Sequence, residues 1–518
     1  MNLDQSKRYS TSETVDAVVI GTGAGGAPVL ARLAATGLSV VALEAGRLWK
    51  DPATEFATDE IDAAKLYWLD ERLSAGETPT AFGSNNSGTG VGGSTLHWGA
   101  FVPRADPRDL KIRSEFNAGK DWPLTYADLK PYYEEVERFI GVSGPADYPW
   151  DLERTYPLGP VPLNAPAQVM QRGFERIGVR TSPAPIAALS RDYRQSEYGE
   201  RAACVNRGYC HQGCRNGAKA SMDVTYLPAA VRNGAEIRPE CFVHHIERNS
   251  QGQIEAVIYR HRGEDIRQPC RAVFLCAGAI ETPRLLLHTG LANSSGQVGR
   301  NFMAHVATQV WGTFAEEMRP NKGFPASLIT EDMIRPKDAD FIGGYLVQSL
   351  GVVPVTWATQ VARGRELWGK PLVDYIRQYN NVAGIGVNGD CLPSPENRME
   401  LSTEIDDSGM PKPIIYFSYG ENEKRMSDHA EKVMTKAWHA AGATDIWTFQ
   451  RSAHTIGTCR MGLDPAASVV NEVGRSHDIP NLWIVDNSVF PSALPANPAL
   501  TIMALALRSA DAFLQQRP

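Results

Sequence analysis

The stretch Val15-Asp16-Ala17-Val18-Val19-Ile20-Gly21-Thr22-Gly23-Ala24-Gly25-Gly26 reads as a buried strand that runs into a glycine turn. An alanine- and leucine-rich helical segment follows, then a second strand from Ser39 to Leu43, so the three form a βαβ unit. The glycines fit G-x-G-x-x-G, and each has a steric task. Gly21 allows the tight turn, Gly23 lets a pyrophosphate approach the backbone, and Gly26 lets helix and strand pack closely. The amino terminus of the helix then faces the phosphates. Glu44 ends the second strand 23 residues after Gly21, where a carboxylate can accept hydrogen bonds from both ribose hydroxyls of an adenosine. Strand, glycines, helix and acid in that order indicate dinucleotide binding rather than a glycine-rich turn of an unrelated fold. Spacing alone does not separate FAD from NAD.

The rest of the chain is enzyme-sized. Its 518 residues exceed what one ordinary core holds, so two domains, or two interleaved, are expected. Hydrophobic residues make up 43% and charged residues 21%, and no segment is long and polar enough to be a disordered tail. The net charge of −7 argues against nucleic acid as the main partner. Met1 to Thr14 is polar and shows no cleavable signal, which suggests the cytoplasm, or the periplasm if a signal-bearing partner carries the chain out. No run approaches the roughly 18 apolar residues of a membrane helix, so no direct membrane insertion is expected. Thr125 is placed to cap a helix starting near Tyr126, and helical periodicity recurs from Glu423 to Ala441. The stretch from 315 to 450 otherwise mixes short strands and loops.

Four separated motifs resemble the glucose-methanol-choline (GMC) oxidoreductase family. They are the amino-terminal fingerprint with Glu44-Ala45-Gly46, the loop Gly90-Val91-Gly92-Gly93-Ser94-Thr95-Leu96-His97-Trp98, the segment Gly278 to Leu286, and the region His454 to Ala506. The resemblance spans almost the whole chain and favours FAD over NAD. It implies an α/β (α+β overall) architecture: a Rossmann-like FAD-binding domain interleaved with a substrate domain built on a mainly antiparallel sheet. The expected segments are 1–125, 201–310 and 451–518 for FAD binding, with 126–200 and 311–450 for the substrate.

The resemblance also assigns roles. His454 matches the family's active-site histidine, and Asn497 matches the second member of that pair. Alcohol oxidation moves a hydride to flavin N5 and a proton to a base, and an imidazole suits the second task. An amide does not titrate, so Asn497 would position the substrate oxygen, although an Asn before Pro498 could instead cap the helix beginning near Ala499. Gly92, Gly93 and Ser94 are expected along the isoalloxazine ring, where small residues permit close contact. His97 resembles histidines bonded covalently to the flavin, against the alternative of a ring packed beside it. Asp486 falls where relatives bring the chain past the flavin, with a plain turn residue as the alternative.

Cys204, Cys210 and Cys214 form a C-x5-C-x3-C cluster. Three close thiolates can hold iron, zinc or nothing, and zinc would need a fourth ligand, for which His211 is the nearby candidate. The spacing resembles multi-subunit sugar dehydrogenases of this family, implying a 3Fe-4S cluster that passes electrons to a cytochrome, and with it a small partner subunit. A packed turn or a single disulfide is the alternative. The function expected is FAD-dependent oxidation of a sugar or polyol hydroxyl, with electrons passed to a partner. A stand-alone oxidase making hydrogen peroxide is the second reading, and a non-catalytic flavin-binding scaffold is the third, which His454 and Asn497 together argue against. Trp311, Tyr345, Trp357 and Trp368 could stack on a sugar face, but aromatics in large domains more often serve the core.

Overall fold

β1 (Ala17–Ile20), α1 (Gly26–Ala34) and β2 (Val40–Leu43) form the expected βαβ unit in the computed structural model, which describes residues 3–77, 87–337 and 339–516. Every residue of both strands is buried, which explains their continuous apolar character: a parallel sheet is covered on both faces. β1 pairs in parallel with β2 and with Val273–Leu275. Parallel pairing continues to Glu236–Arg238 on one side and to Leu482–Ile484 on the other. In chain order these five strands lie 3-2-1-4-5, a doubly wound arrangement that reverses direction beside β1. The crevice at such a reversal, here between Gly21 and Cys276-Ala277-Gly278, is where a dinucleotide binds in open sheets of this kind. An antiparallel meander, Phe242–Arg248, Ile254–His261 and Glu264–Pro269, is inserted before the fourth strand.

The second body is an 11-stranded, mainly antiparallel sheet. Its strands alternate between two environments with the period of 2 that a pleated sheet imposes. Val310, Tyr345, Val347, Ile385 and Val387 face helices Ala165–Arg176 and Glu421–Ala441, forming a core with Met170, Phe174, Met434 and Trp438. Gln309, Trp311, Gln348, Gly386 and Asn388 face the opposite way, into a large cavity. The mixed α/β architecture is thus as expected. The helix at Tyr126–Ile140 starts at a capping box made by Thr125 and Asp128.

Two strands of the antiparallel sheet come from segments expected to bind FAD. Arg300–Val306, within 201–310, and Ser452–Thr458, within 451–518, pair with each other in the antiparallel sheet. Burial of all but its first residue leaves Arg300–Val306 without the alternation that would have marked it as a strand of that sheet. Among the described residues, no helix is long and apolar enough to cross a membrane.

Candidate active site

A cavity of about 1130 Å³ extends from the carboxyl edge of the parallel sheet to the face of the antiparallel one. Gly21, Gly23, Glu44, Gly93, Ser94, His97 and Asp486 line it, together with His454 and Asn497 from the other side. Gly26 and Gly92 lie behind the wall and act through packing. A Cβ on Gly26 would stand 1.9 Å from the Gly21 carbonyl oxygen, so only glycine lets α1 meet the turn after β1. Gly93 has φ +56°, and a Cβ there would reach within 2.7 Å of the Gly23 Cα, which brings the loop Gly90 to Trp98 directly onto the glycine turn.

Glu44 knits these loops together. Its Oε2 accepts from the Thr22 N–H at 3.0 Å and the Thr22 hydroxyl at 2.7 Å, while Oε1 accepts from the N–H groups of Gly46 (3.0 Å) and Gly90 (3.3 Å). Burial raises its pKa, and these four donors act against that shift. Thr22, which sequence reasoning passed over, also accepts from the Gly92 N–H at 3.1 Å. Asp486 is buried and accepts from the Gly278 N–H (2.8 Å), the Thr282 hydroxyl (2.6 Å) and the Ser488 N–H (2.8 Å), pinning the two chain crossings at the crevice.

His97 is buried beside Tyr67, with ring centroids 4.3 Å apart. Burial, with Lys219 and His211 nearby, lowers its pKa to about 3, so the ring is neutral, and its Nε2 has no hydrogen-bond partner. An orphaned buried nitrogen on the cavity wall, a glycine cradle and an acid at the end of β2 fit an FAD molecule.

The far wall holds a chain of side chains from four separate segments. His454 is the extra residue of a β-bulge: Ala304 pairs with Thr455 and His305 with Ala453, leaving His454 unpaired at φ +54°. The bulge turns its ring towards the cavity, where Nε2 lies 3.3 Å from the amide nitrogen of Asn497. Asn497 does not cap the following helix; that cap is Pro498, without a side-chain bond. The Asn388 amide N–H donates to Asn497 Oδ1 at 2.9 Å and fixes which edge of that amide meets His454. Behind His454, its Nδ1 lies 2.9 Å from Nδ1 of His305, whose Nε2 lies 3.2 Å from the Ala493 carbonyl.

Proton placement follows from these contacts. A carbonyl oxygen only accepts, so His305 carries its proton on Nε2. Burial lowers the His305 pKa to about 4, so that ring is neutral and its Nδ1 accepts from His454. His454 therefore holds a proton on Nδ1 and a lone pair on Nε2, facing the cavity. Its own pKa is lowered well below the usual value by burial, then by His305 and Arg451. Neither His305 nor Asn388 was found by sequence reasoning; the available signal was a polar residue inside each buried strand.

The cysteine loop is arranged differently from a metal centre. All three thiols are free. Cys204 accepts from the Asn206 N–H at 3.4 Å, Cys214 accepts from the Lys219 N–H at 3.3 Å, and burial pushes the Cys210 thiol up to about 12. Among the described residues no three Cys, His, Asp or Glu side chains converge to hold a metal ion. His211 lies with Nδ1 3.1 Å from the His97 carbonyl and is not drawn into a set with the thiols, contrary to the zinc alternative. The residues as placed do not fit a 3Fe-4S cluster. Instead, the buried Lys219 ammonium donates to the carbonyls of Leu96 (2.8 Å), Trp98 (3.1 Å) and Cys210 (2.6 Å), fastening this loop to the one that carries His97.

Of the four aromatics considered, Tyr345 and Trp357 are buried core and Trp311 is core that also borders the cavity, while Trp368 is 83% exposed.

Sequence models of the GMC oxidoreductase family match residues 70–307 and 393–506. The chain belongs to the GMC oxidoreductase family and is an FAD-dependent oxidoreductase. It is similar to the fructose dehydrogenase large subunit of Gluconobacter japonicus, 29% identical over 97% of this chain and 98% of that one. It is also similar to the 6'''-hydroxyparomomycin C oxidase of Streptomyces lividus, 30% identical over 96% and 91%. Among solved structures, pyridoxine 4-oxidase from Mesorbium loti shares the fold at a TM-score of 0.68, with 17% identity, covering 98% of this chain and 100% of that one.

Proposed function

We propose that this chain oxidises a hydroxyl of a sugar or polyol to a carbonyl, with His454 as the base and Asn497 holding the substrate oxygen. Bound FAD supplies a hydride acceptor at N5. The observation that carries the reading is the contact between Asn497 and the unprotonated Nε2 of His454, with both residues on the cavity wall. A substrate hydroxyl entering there donates its proton to Nε2 and accepts from the Asn497 N–H, while its carbon gives up a hydride, leaving a C=O bond. His305 keeps the proton of His454 on Nδ1, and burial keeps both rings neutral at physiological pH.

The cofactor side is proposed to comprise Gly21, Gly23, Gly26, Glu44, Gly92, Gly93, Ser94, His97 and Asp486, within segments 1–125, 201–310 and 451–518. His97, which lines the cavity with Nε2 unpartnered, would face the flavin ring, and acid precipitation distinguishes a covalent bond (yellow pellet) from packing (yellow supernatant). Electrons are proposed to pass to a partner such as a small subunit with a cytochrome, a reading supported by likeness to a protein named as a large subunit. In this reading Cys204, Cys210 and Cys214 carry no electrons, and three irons with acid-labile sulfide per flavin would contradict it. Such a partner fits the cytoplasm or, with export, the periplasm. Likeness to an oxidase favours a second reading, in which oxygen accepts the electrons.

The test is anaerobic mixing of the holoenzyme with a panel of sugars, polyols and simple alcohols. Bleaching of the flavin by a sugar or polyol, with dye reduction and negligible oxygen uptake, is expected. Oxygen uptake matching substrate consumption selects the oxidase, and no bleaching by any member contradicts the proposal.

A further inference from the structure

We infer that Arg451 forms an anion-binding end of the substrate chamber, and that the substrate carries a carboxylate as well as the hydroxyl that is oxidised. This rests on the oxidation reading above and adds a charge requirement to it.

Arg451 lies in the turn between strands Thr444–Phe449 and Ser452–Thr458, three residues before His454, and lines the same cavity. Its Nε donates to the Ser452 carbonyl at 3.2 Å. Among the described residues, no carboxylate forms an ion pair with it, and the groups that act on its charge are Tyr419, Arg363 and Tyr67. The carboxylates that line the cavity are committed at its other end. Glu44 holds Thr22, Gly46 and Gly90, Glu281 pairs with Arg72 and Arg284, and Asp486 holds Gly278 and Thr282. Burial already lowers the pKa of Arg451, the mark of a cation lacking a partner.

A half-buried guanidinium without a carboxylate partner is under-compensated, and its planar fork matches a carboxylate through two parallel N–H···O bonds. The same wall offers Gln348 and Gln360, whose amide oxygens are buried without partners; Gln360 is 9% exposed. Orphaned acceptors there call for hydroxyl donors. A cation at one point, hydroxyl acceptors along the wall and a proton acceptor at His454 together describe a polyhydroxylated acid.

The experiment compares gluconate with its neutral amide, gluconamide, on the holoenzyme. Affinity is read from perturbation of the flavin absorption band or from the concentration dependence of its bleaching, so turnover is not required. Wild type is expected to bind the acid at least about tenfold more tightly than the amide. That preference should fall below about threefold in Arg451→Gln and return in Arg451→Lys. Equal affinities in wild type overturn the inference without recourse to any variant. A preference that survives Arg451→Gln overturns it too, as does a shift in flavin potential with the preference intact, which would assign the guanidinium to the flavin. Binding preference without bleaching counts against oxidation while leaving the subsite standing.

Discussion

The two ends of the cavity are built by different means. At the parallel sheet, the cradle is made of backbone, and its shape depends on where a Cβ is forbidden: Gly26 against the Gly21 carbonyl, Gly93 against Gly23. At the antiparallel sheet, function rests on side chains, with His305, Asn388, His454 and Asn497 joined by three hydrogen-bond contacts across four segments. A backbone cradle fails all at once when a single atom is added. A side-chain chain loses its precision step by step, because each member only orients the next.

The largest effect should therefore come from the cradle. Gly26→Ala places a methyl group 1.9 Å from a backbone oxygen that cannot move aside, an overpacking cost of about 3 kcal/mol or more. Purified protein is expected to retain less than roughly a tenth of the wild-type flavin per chain. Full flavin content would show that the cradle tolerates side chains. At the other end, His305→Phe should leave flavin content unchanged and slow flavin reduction about tenfold to hundredfold, since the His454 Nδ1–H loses its acceptor and the ring its orientation. His305→Asn, whose amide oxygen can accept that proton, should recover part of the rate. Equal rates in both variants would mean that His305 is packing alone.

Acid sensitivity should also come from the buried histidines. His97, His211, His305 and His454 all have lowered pKa values in the folded chain, chiefly through burial. Unfolded imidazoles take up protons near pH 6.5 and the folded ones only at lower pH, so the unfolded state binds more protons in that window. The histidine contribution to stability is therefore full above about pH 6.5 and falls as the pH drops towards 4, by roughly 1.4 kcal/mol per pH unit for each such histidine. Glu331 and Asp390, raised to about 7 by burial, act with the opposite sign, so the difference between proteins is the test: from pH 7.5 to 5.5 the thermal midpoint of His305→Phe should gain on that of wild type, and parallel profiles contradict the neutral assignment. The smallest effect is expected from Asn388→Leu, which frees the Asn497 amide to rotate and should reduce the reduction rate about fivefold, mainly through weaker substrate binding.

This division also explains what could be read from the chain. β1, the glycines, α1 and Glu44 are contiguous, so their spacing carries their geometry, and the Thr125 cap and the helix at Ala499 were legible for the same reason. His305 and Asn388 were not. Each is a polar residue in a strand buried through most of its length, and the partner that gives it meaning lies over 100 residues away. The bulge at His454 is set by pairing with Arg300–Val306, which no local pattern announces. At the cysteine loop the thiols are near enough to act on one another's charge, yet among the described residues no three ligands converge on a metal ion, and Lys219 and His211 tie that loop to the loop carrying His97.

The central claim is that His454 takes the substrate proton while the rest of the site stays assembled. Anaerobic single-turnover reduction of the flavin in His454→Asn, beside wild type at equal flavin content, tests it most directly. The rate is expected to fall by about 10²-fold to 10⁴-fold, the usual contribution of a positioned general base. A rate within about twofold of wild type would contradict it and place the base elsewhere in the chamber.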